Sequence, residues 1–299
     1  MKEMMCLIVK ERKKSLELEY YQLLKPRLPS KKVDENQLNY LSKGFEGERL
    51  FDKQLAKLTA ESLTIADLQL TAGQSFIQLD TVLIINETIY LFEVKNYSGE
   101  YVIEAEGTWL HANGREIKSP IVQLQRTEGI FRQLLQSLHL PRYIVKSFVV
   151  FPNKEFTLFN LPPDLPILLS SQIPAFLRKI NSNSGPLTTF SRTLADKLLE
   201  QHQALPLRFL RVPDYTFDEL MKGIFCPDCL HLMHKISQRM IKCHGCGQVE
   251  KNSSALVREI RNFQMLFPNR KLQANDVYEW CGRTFATRTI NRILKKLTD

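Results

Sequence analysis

Asp80, Glu93 and Lys95 are the residues whose types and spacing point most directly to chemistry. Asp80 opens the run Asp80-Thr81-Val82-Leu83-Ile84-Ile85, which is β-branched and apolar after the aspartate and reads as a buried strand. Asn86-Glu87-Thr88 turns the chain, and Ile89 to Lys95 returns it. Side chains alternate along a strand, so Glu93 and Lys95 share one face and Val94 points to the other. Antiparallel pairing about the turn is expected to bring Asp80 beside Glu93. Two carboxylates and an amine then meet at the end of an apolar hairpin, where unpaired charge is costly. A divalent metal is the expected reason for them.

Elements must hold this group in place. A helix is expected over 38–58, with Leu38, Leu41, Phe45, Phe51, Leu55 and Leu58 near one face. Strands are expected at about 63–71, 75–85, 88–95 and 100–106, and a turn at Asn113-Gly114. Pro120 opens a helix that ends at Pro141, and Tyr143 to Phe151 is a strand apolar on both faces, hence central. The alternation gives an α/β core over 38–152, continued over 153–205 by a short strand at 167–169 and two helices. Residues 1–37 read as a charged helical arm with a helix over Leu16 to Leu24, and 206–224 as a linker.

Five short motifs occur in order: Gly44-Phe45-Glu46-Gly47-Glu48, Gln78-Leu79-Asp80, Glu93-Val94-Lys95-Asn96, Ser98-Gly99, and Ser119-Pro120 with Gln123. Together they resemble the nuclease-related domain (NERD), a family placed in the PD-(D/E)xK nuclease-like superfamily. The resemblance covers about 44–152, and Leu79 stands where the superfamily has its proline. It implies an α/β/α core with a mixed central sheet and a Mg²⁺-dependent phosphodiesterase site.

The residues support that chemistry in their own right. Asp80, Glu93 and the carbonyl of Val94 offer oxygen ligands to Mg²⁺ or Mn²⁺, with positions left for water and a phosphate oxygen. Lys95 would orient the water or offset charge developing on the phosphate. Glu48 would reach the metal or a water on it, helped by Gly44 and Gly47, which let the helix approach the sheet. Gln123, one turn into its helix, would hydrogen-bond the lysine or the substrate. Alone, a Glu-x-Lys triplet is more often a solvated face, Gln123 an exposed helix residue and Glu46 a surface charge. Asp80, Glu48 and Gln123 in this order make a site the better reading of the triplet.

Cys226-Pro227-Asp228-Cys229 and Cys243-His244-Gly245-Cys246 form two C-x2-C knuckles at 225–250, the spacing of a zinc ribbon. Four thiolates leave no open position, so a Zn²⁺ there is expected to be structural, and His231, His234 and His244 are not needed as ligands. Lys235, Arg239 and Lys242 surround the knuckles. Residues 251–299 read as a small helical domain with a helix–turn–helix (HTH) rhythm. Ser254 caps its first helix, Asn275 to Cys281 is its second, and Thr287 caps Arg288 to Leu297. The last helix sets Ile290, Ile293, Leu294 and Leu297 opposite Arg288, Arg292, Lys295 and Lys296. That arrangement suits either DNA contact, with a cadence similar to bacterial HTH domains, or a solvated basic face.

The chain of 299 residues is 43% hydrophobic and 24% charged, with a net charge of +9. Ten Lys/Arg against four Asp/Glu place six of those nine charges in the last 49 residues, which favours a polyanion-binding surface. No apolar run approaches membrane-spanning length, and Met1 to Val9 fails as a secretory signal. Cys6 and Cys281 stand alone, and this cysteine usage suits a reducing cytoplasm. The expectation is a metal-dependent nuclease acting on nucleic acid, with DNA the expected substrate in view of the helical segment. The alternative is a DNA-binding regulator or DNA-processing accessory whose nuclease-like fold no longer cuts.

Overall fold

The computed structural model describes residues 6–73, 75–140, 143–182, 185–204 and 210–298. Met1 to Met5 of the expected arm, the helix stop at Pro141, and 205–209 at the join to the expected linker lie outside them. Two compact units are built from interleaved segments: the described residues of 1–14 and 40–209, and those of 15–39 and 210–299.

In the first unit, a six-stranded mixed sheet runs in the order β1 (Cys6–Lys10), β2 (Ser62–Ala72), β3 (Ser75–Ile85), β4 (Thr88–Val94), β8 (Ile144–Phe151), β10 (Ile167–Leu169). The β2–β3 and β3–β4 pairs are antiparallel, and β1–β2, β4–β8 and β8–β10 are parallel. Alternation along β4 separates two cores. Ile89 and Leu91 face α3 (Pro120–Ser137) and α5 (Thr189–Glu200), through Phe131, Leu134, Leu194 and Leu198. Phe92 and Val94 face α2 (Glu35–Leu55) and α4 (Ile173–Ser182), through Phe51, Leu55, Leu177 and Ile180. Helices therefore cover both faces, as a sheet apolar on both sides requires. A smaller four-stranded sheet, in the order β7 (Glu116–Ile117), β6 (Trp109–His111), β5 (Gly99–Ile103), β9 (Phe156–Phe159), packs its aromatic residues on Ile121 and Leu124 of α3.

Several expectations shift. The helix expected over 38–58 runs from Glu35 to Leu55, with Asp34 Oδ1 accepting from the amides of Asn36 and Gln37. The strand expected to reach residue 106 stops at Ile103. The first 37 residues do not form one helical arm. Cys6–Lys10 is an edge strand pairing with β2, whereas α1 (Leu16–Leu24) belongs to the second unit.

The second unit holds a three-stranded antiparallel sheet, β11 (Met233–Lys235), β12 (Met240–Cys243) and β13 (Val249–Lys251). Three helices follow: α6 (Asn252–Leu266), α7 (Ala274–Trp280) and α8 (Thr287–Thr298). Helix α6 starts two residues before Ser254, with Lys251 at its N-cap position, and Thr287 is the first residue of α8. Leu256, Ile260, Phe263, Val277, Trp280, Ile290 and Ile293 are buried, whereas Leu297, at the end of the expected apolar stripe, is 44% exposed.

An ion pair lies inside this apolar interior. Arg27 Nη2 is 2.8 Å from Glu259 Oε2, and the two side chains are 1% and 0% exposed. The guanidinium stacks 3.8 Å from the Trp280 ring centroid and donates to the carbonyls of Met221 and Gly223. Glu259 also accepts from Trp280 Nε1 and Arg258 Nη1. Burial pulls Arg27 down to about 10, with Glu259 opposing, so the guanidinium is charged at neutral pH. Removing one partner strands the other in an apolar interior. Glu259→Ala is expected to lower this unit's stability by about 3–5 kcal/mol. Urea unfolding read by Trp280 fluorescence in a Trp109→Phe background would measure this, and an unchanged midpoint would contradict it.

Candidate active site

The β3–β4 register pairs Thr81 with Phe92, so Asp80 lies one step beyond, beside Glu93. Asp80 Oδ2 accepts from the Val94 amide at 2.8 Å, which fixes the carboxylate across the two strands. Glu93 is 5% exposed, and its Oε1 lies 2.7 Å from Lys95 Nζ. Gln123 closes a triangle, donating from Nε2 to Glu93 Oε1 at 2.5 Å and accepting from Lys95 Nζ at 3.0 Å. Gln123 is an exposed helix residue, yet the start of α3 at Pro120 puts its amide over the strand ends. Asp80, Glu93, Lys95 and Gln123 are thus gathered at the C-terminal end of β4, in the interior of the sheet. Glu46 is exposed and enters no part of the cluster.

Glu48 approaches from α2, and its contact is Arg12, a residue that sequence reasoning passed over. Arg12 follows β1, and its side chain is 4% exposed. Nε and Nη2 form a fork on Asp52 at 2.7 and 3.0 Å, and Nη1 donates to Glu48 at 3.0 Å and Asp67 at 2.9 Å. Nη2 also reaches the carbonyl of Asp80 and Oγ1 of Thr81. The run Glu11-Arg12-Lys13-Lys14 reads as solvated charge, and nothing in it singles out Arg12. The available signal lay elsewhere: Glu48 and Asp52, one turn apart, need a cation once their face of the helix is covered.

Only one of the two glycines of the expected close approach makes it. A Cβ on Gly47 would lie 2.3 Å from Asn96 Cβ, whereas one on Gly44 would meet nothing within 4 Å. Asn96 Nδ2 donates to the carbonyl of Lys43, tying the residue after Lys95 to the same helix.

The electrostatics show an excess of negative charge. Burial, then Glu93 and Glu48, raises Asp80 well above the usual carboxylate range, against the opposing Val94 amide and Lys95. Burial and the neighbouring Asp67 and Asp52 push Glu48 up to about 7 despite Arg12. Burial alone would lower Lys95, but Glu93 beside it prevails and holds the amine charged. This all-oxygen donor set, short of positive charge, fits a hard divalent cation held by Asp80 and Glu93.

In the second unit the knuckles bring four thiols together. The Sγ atoms of Cys226, Cys229, Cys243 and Cys246 all lie within 4.8 Å of one another, with Cys229–Cys243 at 3.3 Å and Cys226–Cys246 at 3.7 Å. Gly247, at φ +76°, provides the turn beyond the second knuckle, a conformation that side chains with a Cβ disfavour. This group can hold a metal. His231 Nδ1 lies 3.0 Å from the Cys229 carbonyl oxygen, and the His234 and His244 rings lie 4.1 Å apart. Lys235, Arg239 and Lys242 are exposed on the small sheet and its hairpin, and Arg288, Arg292, Lys295 and Lys296 are exposed along α8.

A mixed sheet covered by helices on both faces fits the nuclease-like fold. Residues 43–152 match the family model described as "Nuclease-related domain" (NERD), and are identified as such a domain. The match takes in Glu48, Asp80, Glu93, Lys95 and Gln123 but not Arg12. Comparison with curated proteins finds no match. Among solved structures, protein VC1899 from Vibrio cholerae is similar at 9% identity and a TM-score of 0.27, over 50% of this chain and 36% of that one. This chain thus spans little more than a third of that protein. No helix among the described residues is long and apolar enough to cross a membrane.

The contrast between the two glycines is testable. Gly47→Ala is expected to cost about 1–3 kcal/mol, because a methyl group there overlaps Asn96. Gly44→Ala is expected to stabilise by up to about 1 kcal/mol, since it gains helix propensity in open space. Thermal melts of both variants would decide this. Equal shifts would mean that α2 does not depend on that close approach.

Proposed function

We propose that the NERD region is a divalent-metal-dependent nuclease that hydrolyses phosphodiester bonds in DNA, and that the second unit binds the substrate. The observation that carries this reading is the Asp80–Glu93–Lys95–Gln123 cluster, with carboxylates and a charged amine gathered at the end of β4. Asp80, Glu93 and the carbonyl of Val94 would hold Mg²⁺ or Mn²⁺. Bound there, the cation would supply Lewis acidity to a phosphate oxygen and acidify a coordinated water.

The protein's own groups do the rest. Lys95 spends two of its three N–H donors on Glu93 and Gln123, which fixes the ammonium and leaves the third for the attacking water or a phosphate oxygen. Gln123 bonds both Glu93 and Lys95, so it holds the two at a set separation. Glu48, on α2, completes the catalytic set.

Cys226, Cys229, Cys243 and Cys246 form the site of a structural Zn²⁺. Their Sγ separations of 3.3 and 3.7 Å approach the roughly 3.8 Å edge of a ZnS₄ tetrahedron with bonds of about 2.3 Å. A zinc-ribbon role for the small sheet and an HTH role for α7 and α8 go with this assignment. Thiolates of this kind persist in a reducing compartment, which favours the cytoplasm.

Linear, circular and single-stranded DNA incubated with Mg²⁺ or Mn²⁺ would test the reading. Wild type is expected to cut, and Asp80→Ala to reduce cutting by at least about 10²-fold. No cutting, with salt-sensitive DNA binding that survives the mutation, would favour the non-catalytic accessory. For the second unit, Arg288→Ala with Arg292→Ala should reduce the slope of log K against log salt by about 2. Equal slopes before and after would remove α8 from the DNA surface.

A further inference from the structure

We infer that Arg12 is a positioning residue that holds Glu48 away from direct metal coordination, so that the carboxylate site takes a single divalent cation. The inference rests on the reading of Asp80 and Glu93 as ligands, and adds a count of ions and a role for a residue outside the family match. Three observations support it.

First, Arg12 is fixed from every side. All of its nitrogens donate, to Asp52, Glu48, Asp67, the Asp80 carbonyl and Thr81 Oγ1. A guanidinium anchored on the backbone of Asp80 and on Asp52 and Asp67 holds the Glu48 carboxylate to itself.

Second, Glu48 does not join Asp80 and Glu93 in one tight donor group. Among the described residues, the four cysteines are the group of three or more ligating side chains whose donor atoms lie within 4.8 Å of one another. Glu48, Asp80 and Glu93 do not gather in that way, because Glu48 is turned to Arg12 at 3.0 Å.

Third, the formal charge suits one ion. Five carboxylates (Glu48, Asp52, Asp67, Asp80, Glu93) against three cations (Lys10, Arg12, Lys95) leave −2. One divalent ion neutralises the group, and a second would reverse its sign beside a buried guanidinium. Glu48 then acts on a water of the ion's hydration shell rather than on the ion.

Mn²⁺ binding to the full chain tests this, with stoichiometry from calorimetry and the number of coordinated waters from electron–nuclear double resonance in labelled water. Wild type is expected to bind one Mn²⁺ that Asp80→Ala removes. Glu48→Gln is expected to keep one Mn²⁺ with the same water count, while DNA cleavage falls at least tenfold. Arg12→Met is expected to free Glu48 to join the ion, so the water count drops by one and returns in Arg12→Met with Glu48→Gln. A merely structural role for Arg12 would not produce that reversal. If Arg12→Met does not fold, the Glu48→Gln water count decides alone. Two Asp80-dependent ions in wild type, or one extra water in Glu48→Gln, would overturn the inference and leave the nuclease reading standing. No Asp80-dependent ion would remove the metal reading and the inference together.

Discussion

The first unit is organised around the buried guanidinium of Arg12. Arg12 joins the end of β1 to two acids of α2, one acid of β2 and the backbone of β3. Each buried carboxylate without a partner would cost several kcal/mol or take up a proton. The acids show how narrow the balance is, since Glu48 rises to about 7 even with the guanidinium at 3.0 Å. The same contacts hold helix and sheet in register. Glu48 can approach the strand ends only because its charge is compensated behind it, and because Gly47 has no side chain to hold the helix away from Asn96.

The second unit repeats the principle with different chemistry. Arg27 pairs with one carboxylate, Glu259, and packs on Trp280 and Phe225, so the charge sits in an aromatic enclosure instead of an acidic one. In both units the arginine comes from the first 39 residues and its acidic partners from far along the chain. Burial of an ion pair adds little net stability over an apolar substitute, but a missing partner is severely destabilising. The interleaved folding of the N-terminal segment is therefore enforced twice, by two arginines that each have one place to go.

Much of the candidate site was legible because its elements carry strong local signals. The β-branched run after Asp80, the turn at Asn86 and the period of two put Glu93 and Lys95 on one face, and Pro120 marked the helix that presents Gln123. Helices on both faces were expected from the resemblance, and alternation in β4, Ile89 and Leu91 against Phe92 and Val94, supplies the apolar layer under each. Short edge elements were not legible. Strand β1 has five residues, with Leu7 and Ile8 exposed, and it abuts four charged residues that resemble a solvated arm. The strands β6 and β7, of three and two residues, fall below any useful periodicity. Arg12 was invisible for a deeper reason. A buried arginine is recognised by the acids around it, and those acids lie 36, 40 and 55 residues away.

That long-range dependence bears on what the family match means for function. The match starts at residue 43, so it contains Glu48, Asp52, Asp67, Asp80 and Glu93 but neither Lys10 nor Arg12. Taken by itself, the matched segment has five acids and only Lys95 among the compensating cations. Without Arg12, Glu48, Asp52 and Asp67 would crowd one another with no guanidinium to pair them. The added segment does more than extend the sheet by one strand. It supplies Arg12, the cation paired with Glu48, Asp52 and Asp67, so the acids of the matched segment are compensated by a residue that precedes it.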